Sequence, residues 1–137
     1  MIFCKDSKTQ MSFDPVRIGV IGTGRFGILH AKTLLGLAES ELVALVDCSE
    51  KALADLPEDF SGIPKYSAPE DALRKSSAEA WVVSTSTADH VQVTSMLLEQ
   101  DAHVLLEKPI SGNLQDCLLY TSPSPRDAQL SRMPSSA

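Results

Sequence analysis

Apolar and polar residues alternate between residues 16 and 106 in a pattern that predicts short buried strands separated by helices. β-Branched and apolar runs form the strand candidates, and apolar residues at near-helical spacing fill the segments between them. The predicted strands are Val16–Ile21, Leu42–Val46, Lys65–Ser67, Trp81–Val83 and His103–Leu106. Because strands that alternate with helices pair in parallel through right-handed crossovers, we expect an α/β fold built on one parallel sheet.

The intervening helices are predicted from apolar spacing and from residues typical of helix starts. They cover about residues 25–38, 49–56, 69–75 and 88–100. Ser49 is expected to cap the second helix, and Pro69 lies in the first turn of the third. We expect residues 39–41 to form a turn and residues 57–64 to form a loop.

Composition narrows the class of protein. The chain has 137 residues, with 18 acidic and 12 basic side chains and a net charge of −6. This acidity argues against nucleic acid or an anionic membrane as the main partner. No apolar run approaches the roughly 20 residues that span a bilayer, and the amino end lacks the apolar core of a signal peptide. The cysteines and histidines lack the spacing of a disulfide framework or a metal site, so we expect a cytoplasmic protein without a metal.

The carboxyl end departs from the α/β pattern. Residues 117–137 contain five serines and three prolines and show no hydrophobic periodicity after Tyr120. Residues 117–127 and 131–137 also correspond, in order and in one reading frame, to a translated transposase-based sequencing adapter. We therefore interpret 117–137 as a non-native, disordered tail and expect the natural protein to continue beyond Asp116.

One domain is expected between the two ends. Residues 14–116 hold all the predicted strands and helices. Residues 1–13 are an uncertain leader, because Met11 heads a second candidate start just before the first strand. The length of 14–116 suits a single domain.

A glycine-rich segment, GTGRFG, follows the first predicted strand at once and opens the first helix. In such a setting Gly22 permits a tight turn, Gly24 lets a pyrophosphate approach the backbone, and Gly27 allows close helix–strand packing. The N–H groups of the loop and the helix N-terminus favour negative charge. The candidate cofactor-binding residues of the segment are Gly22, Thr23, Gly24, Arg25, Phe26 and Gly27.

Asp47 ends the second predicted strand, 20 residues after Gly27. A carboxylate at this place bonds the adenosine ribose hydroxyls of a dinucleotide and repels a 2′-phosphate. No arginine stands beside it, so the sequence favours NAD over NADP. Two simpler interpretations stay open: the glycines can be ordinary turn residues, and Arg25 can be a solvated side chain.

The last predicted strand runs into Glu107-Lys108-Pro109, at the edge of the sheet where ligands of such folds bind. From context alone, Lys108 beside Glu107 is explained equally well as a surface ion pair. At these residues the chain resembles the glucose-fructose oxidoreductase/inositol dehydrogenase (Gfo/Idh/MocA) family. The resemblance rests on IGVIGTGRFGILHAKTL at 18–34, ALVD at 44–47, STSTADH at 84–90 and AHVLLEKPIS at 102–111.

The resemblance implies a Rossmann-like, doubly wound parallel sheet in an NAD(P)-dependent oxidoreductase that acts on a sugar, inositol or related polyol. It makes Lys108 the catalytic residue beside the nicotinamide and the substrate hydroxyl. It makes Glu107 a ligand of the cofactor ribose or the residue that orients the lysine. Ser84, Thr85 and His90 would then bind the cofactor, although His90 is equally explained as a helix-surface or capping residue.

The family also has a second, α+β domain that supplies most substrate contacts, a catalytic histidine and the usual oligomer interface. We expect that domain, and a homo-oligomer, in the parent protein, and we expect this chain alone to bind NAD(H) without turnover. Two other classes stay open: a non-enzymatic NAD-binding or redox-sensing module, and a biliverdin-reductase-like or amino-acid-pathway two-domain dehydrogenase. Ser86 stands where the family usually has proline, which leaves the local loop geometry open.

Overall fold

The structure, a computed structural model, describes residues 14–108. Within that range the strands are β1 (Val16–Ile21), β2 (Ser40–Val46), β3 (Lys65–Tyr66), β4 (Ala80–Val83) and β5 (His103–Leu106). They form one parallel sheet in the order β3-β2-β1-β4-β5. The predicted parallel α/β architecture is therefore confirmed. The expected leader (1–13), the expected tail (117–137) and the expected break near Asp116 lie outside the described residues.

Helices cover both faces of the sheet. They are α1 (Arg25–Leu35), α2 (Glu50–Ala54), α3 (Pro69–Lys75) and α4 (Thr87–Glu99). On one face Ala31 of α1 joins a buried cluster with Val20 and Leu45, and on the other Leu97 of α4 joins a cluster with Trp81. The chain moves outward in opposite directions from β1 and from β4, so a crevice opens where their carboxyl ends adjoin.

The centre of the sheet is built around the close approach of Gly19 and Trp81. These residues are paired in register on β1 and β4. The indole of Trp81 is 1% exposed and occupies the space where a Cβ at position 19 would lie. Glycine at this point therefore lets the largest side chain of the core pack directly against β1.

The first helix and the second strand differ from the predicted boundaries. Helix α1 ends at Leu35 rather than near residue 38, because Gly36 follows as its cap and the Ser40 hydroxyl donates to the Leu34 carbonyl at 2.8 Å. Strand β2 begins at Ser40 rather than Leu42, so the expected turn at 39–41 is wrong in part. The polar start of β2 pairs with the exposed start of β1, a backbone contact that leaves no hydrophobic signal in the sequence.

The segment after β2 also holds more structure than its sequence indicates. The Ser49 hydroxyl accepts a hydrogen bond from the Ala52 N–H at 3.2 Å, which confirms the predicted cap of α2. The predicted loop at 57–64 contains a short 3₁₀ turn, Glu58–Phe60, that buries Phe60 completely. A single apolar residue between prolines and a glycine creates no hydrophobic periodicity, so the sequence pattern could not predict that Phe60 is buried. Within the described range, no helix is long and apolar enough to cross a membrane.

Candidate cofactor site

Four residues of the candidate site directly follow strands and are held at the carboxyl edge of the sheet by the same kind of bond. The backbone N–H groups of Gly22, Asp47, Ser84 and Glu107 each donate to the carbonyl of the last residue of a neighbouring strand, at 2.7–3.1 Å. The parallel ladder thus continues one residue past each strand. It brings these four residues, distant in sequence, to one edge of the sheet.

The glycine turn is closed by backbone atoms that leave no room for side chains. Gly22 has a φ of +93°, and a Cβ there would overlap the Ser84 carbonyl group. A Cβ at Gly27 would overlap the carbonyl oxygen of Gly22. The first turn of α1 is therefore pressed against the end of β1 and against the loop after β4.

Gly24 has the opposite environment. It is the N-cap residue of α1, and a Cβ there would meet no atom within 4 Å. No acidic side chain lies in the first turn of α1, so the positive end of the helix dipole is not neutralised from within the helix. Open space beside unneutralised N–H groups is the arrangement that binds a phosphate.

Asp47 faces this turn and is held there by Thr23 and Ser49. The backbone N–H and the hydroxyl of Thr23 both donate to Asp47 Oδ2, at 2.9 and 2.8 Å, and the Ser49 N–H donates to Oδ1 at 2.9 Å. Burial raises the pKa of the Asp47 carboxyl, but the hydrogen bonds from Ser49 and Thr23 outweigh it and hold the pKa below its ordinary value. Asp47 is therefore ionised at neutral pH with a fixed orientation.

A cavity of about 710 Å³ opens between this edge and the first turns of α3 and α4. Five predicted cofactor residues lie in its wall: Gly22, Gly24, Asp47, Ser84 and Thr85. Other predicted residues lie elsewhere, because Thr23 and Gly27 are buried behind the turn whereas Arg25 and Phe26 are exposed on α1. Among the described wall residues no lysine or arginine occurs, while Asp47, Glu70 and Asp89 make this wall acidic.

Helices α3 and α4 supply wall residues that the sequence analysis did not identify. These are Pro69 and Glu70 of α3, then Asp89, Gln92, Val93 and Met96 of α4, together with Ser86, the N-cap residue of α4. Asp89, Gln92 and Met96 recur at intervals of three and four, so they share one face of α4. That spacing was visible in the sequence, but only the fold shows that this polar face turns toward the glycine turn.

His90 lies behind the wall rather than in it. Its side chain is buried, with 2% exposure, and its Nε2–H donates to the Thr85 carbonyl at 3.0 Å. Since Thr85 does line the cavity, His90 fixes the loop after β4. His90 is thus a buried anchor of this loop, outside the cavity wall, and not the helix-surface residue that the sequence also allowed.

Glu107 and Lys108 lie at the far end of the same edge, after β5. The Glu107 carboxylate accepts a hydrogen bond from His30 Nε2–H on α1, and the Lys108 side chain is exposed. The bond from His30 is the main reason that the pKa of Glu107 lies below its ordinary value, and the Lys108 backbone N–H lowers this pKa further. The contact between His30 and Glu107 was not predicted, because 77 residues separate them.

The parallel sheet, the glycine turn at the N-terminus of α1 and the acid after β2 together define a dinucleotide-binding domain of the Rossmann type. The Gfo/Idh/MocA family model, which describes an oxidoreductase family with an NAD-binding Rossmann fold, matches residues 16–120. The chain belongs to this family. Within the described residues, no group of three or more histidine, cysteine or acidic side chains is placed to hold a metal ion.

Known relatives and solved structures agree with this assignment. The chain is 34% identical over 101 residues to a myo-inositol 2-dehydrogenase of Thermotoga maritima, covering 74% of the chain and 30% of the relative. It resembles the WlbA dehydrogenase of Bordetella pertussis in complex with NADH and UDP-GlcNAcA, with 25% identity, a TM-score of 0.72 and coverage of 79% and 34%.

A scyllo-inositol dehydrogenase of Lactobacillus casei shares the fold, with a TM-score of 0.74, 20% identity and coverage of 81% and 33%. The chain thus spans about a third of the length of the relatives that it matches.

The hydrogen bonds of Asp47 generate a prediction on pH-dependent stability. Because the pKa of Asp47 is lower in the folded chain than in the unfolded chain, its ionised form stabilises the fold above the unfolded pKa. This stabilisation is lost as the pH falls through the folded pKa. We expect Asp47→Asn to lower the free energy of unfolding by about 1–2 kcal/mol at pH 7, a value that allows for partial exposure. The deficit should shrink below about pH 4.

Urea unfolding at a series of pH values measures this difference. Asp14→Asn, at an exposed carboxylate, is the matched control and should stay within about 0.5 kcal/mol of wild type. A deficit in Asp47→Asn that is constant from neutral to acid pH would contradict the account.

Proposed function

We propose that the chain is the cofactor-binding domain of an NAD(H)-dependent oxidoreductase that transfers hydride between the nicotinamide and a sugar, inositol or related polyol. The observation that carries the proposal is the open space at Gly24, at the N-terminus of α1, with the ionised Asp47 held beside the same turn. The first feature suits a pyrophosphate, and the second suits the hydroxyls of a ribose.

The residues present fit this cofactor. The turn between β1 and α1 is a cradle that side chains at Gly22 or Gly27 would obstruct, and the space at Gly24 is free. Ser84 and Thr85 present polar groups to the same cavity. The bound cofactor would accept or donate the hydride, because no amino-acid side chain performs hydride transfer.

Lys108 is proposed as the catalytic residue of the full-length enzyme. It follows β5 at the carboxyl edge, is exposed, and carries an ammonium group with three donors. Beside a substrate hydroxyl, such a group holds the reacting oxygen and assists proton transfer at that atom. The sugar, inositol or polyol class is supported by the relatives, since a myo-inositol 2-dehydrogenase of T. maritima matches 74% of the chain. Glu107 and Lys108 lie within the residues that the family model matches.

The preference for NAD over NADP is also a proposal. The acidic cavity wall around Asp47, without lysine or arginine among its described residues, supports it. Each carboxylate there favours a free ribose hydroxyl and opposes an additional phosphate. The acidic chain with few, scattered cysteines is consistent with our further proposal of a cytoplasmic setting.

Filling the space at Gly24 should weaken cofactor binding without unfolding the chain. We expect Gly24→Ala to weaken NADH binding by about tenfold, or about 1.4 kcal/mol, because the methyl group occupies the approach of the pyrophosphate. NADH fluorescence titration measures the affinity, and urea unfolding measures stability.

Gly62→Ala is the matched control for this change, since a Cβ there also meets no atom within 4 Å and lies outside the cavity wall. Its affinity should equal that of wild type, and both variants should keep stability within about 0.5 kcal/mol. Equal NADH affinity for Gly24→Ala and wild type would contradict the proposed function.

Asp47 should decide between the two cofactors. We expect wild type to bind NAD⁺ at least about tenfold more tightly than NADP⁺, a difference of about 1.4 kcal/mol. Asp47→Asn removes the negative charge with almost no change of side-chain shape. It should reduce the ratio of NAD⁺ affinity to NADP⁺ affinity, because NAD⁺ binds more weakly and the repulsion of the NADP⁺ 2′-phosphate is relieved. Calorimetric titration of both cofactors measures the ratio, and an unchanged ratio in Asp47→Asn would exclude this role.

A further inference from the structure

One side-chain hydrogen bond, between His30 and Glu107, joins the two halves of the sheet at the carboxyl edge and has no assigned role. His30 lies on α1, and Glu107 follows β5, with β4 lying between β5 and the first strand. The His30 Nε2–H donates to Glu107 Oε1, and both side chains are about one-third exposed, at 29% and 35%. This contact links α1 to the residue that follows β5, and it therefore constrains the segment that carries Lys108.

The backbone of Glu107 is fixed from one side by β4. Its N–H donates to the Val83 carbonyl at 3.0 Å, so the main chain is held to the ladder. The carboxylate is fixed from the other side by His30. Glu107 is therefore constrained at both its backbone and its side chain, just before Lys108 leaves the sheet.

The backbone N–H of Lys108 is one of the groups that lower the pKa of the Glu107 carboxyl, and it directly follows that residue in the chain. A carboxylate held by a histidine therefore orients the peptide that begins Lys108. Glu107 is not part of the described cavity wall, which leaves its carboxylate to these partners.

We propose that His30 is a positioning residue that, through the Glu107 carboxylate, fixes the backbone of Lys108 at the nicotinamide end of the cofactor site. The inference rests on the proposed function. It assigns to Glu107 the orienting role, and it adds a residue on the first helix that touches neither cofactor nor substrate.

Two ligands separate positioning from general stabilisation. NADH contains the nicotinamide, whereas ADP-ribose shares the adenosine, the pyrophosphate and the second ribose but lacks that ring. Displacement of Lys108 should therefore affect NADH alone. We expect His30→Leu to weaken NADH binding three- to tenfold and to leave ADP-ribose affinity within twofold of wild type.

Matched variants complete the comparison. His30→Gln keeps an N–H donor and should restore most of the NADH affinity. Glu107→Gln should show the same selective loss as His30→Leu, and the double variant should be no weaker than either alone, because the two residues act in series. His103→Leu changes an exposed histidine at the opposite end of β5 and should leave both affinities unchanged.

Nuclear magnetic resonance of the ligand-free chain supplies a readout independent of the cofactor. The backbone amide resonance of Lys108 should shift by similar amounts in His30→Leu and Glu107→Gln, because the carboxylate of the preceding residue is displaced in the first variant and neutralised in the second. The Val82 amide, within β4, should not move. Equal weakening of both ligands in His30→Leu, or no weakening, overturns the proposal, as does an unshifted Lys108 amide.

The two proposals fail in different ways. A wild-type chain that binds neither NADH nor ADP-ribose contradicts the proposed function. In that case the Lys108 amide alone decides whether His30 positions Lys108. A wild-type chain that binds both, with NADH affinity independent of His30 and Glu107, keeps the proposed function and removes the positioning role.

Discussion

The structure depends on one steric constraint, which is that the main chain of the glycine turn lies directly against the main chain of the loop after β4. Gly22 adopts a left-handed φ against the Ser84 carbonyl group, and Gly27 lies against the carbonyl oxygen of Gly22. A side chain at Gly22 would displace the loop after β4, and a side chain at Gly27 would push α1 off the end of β1. Because of this contact, the N-terminus of α1 points over the carboxyl ends of both β1 and β4, where a phosphate can meet its N–H groups.

The remaining site residues are placed by the ladder rather than by their own side chains. Asp47, Ser84 and Glu107 each use the backbone N–H to extend the sheet by one residue. The carboxylates of Asp47 and Glu107 are then oriented by residues outside the cavity wall, since Thr23 donates to Asp47 and His30 donates to Glu107. The rigid sheet thus sets the position of each residue, and hydrogen bonds from Thr23 and His30 set the orientation of the two carboxylates.

Local signals in the sequence predicted the strands, the glycine turn and Asp47, because each depends on neighbouring residues. The fully buried Phe60 and the polar start of β2 were not predicted, since both depend on tertiary contacts without periodicity. The contact between His30 and Glu107 spans 77 residues and required the strand order β1-β4-β5. The position of His90 behind Thr85 likewise needed the fold, because a histidine near a helix start is compatible with either role.

We propose that a dinucleotide occupies the carboxyl edge of this sheet. Amide chemical shifts of the 137-residue chain, followed during titration with NADH, test it most directly. The account predicts saturable shifts at residues 22–28, 47–49, 84–86 and 107–108, and none at residues 100–103, which lie at the opposite edge. Shifts confined to residues 100–103, or absent at millimolar NADH, would contradict it.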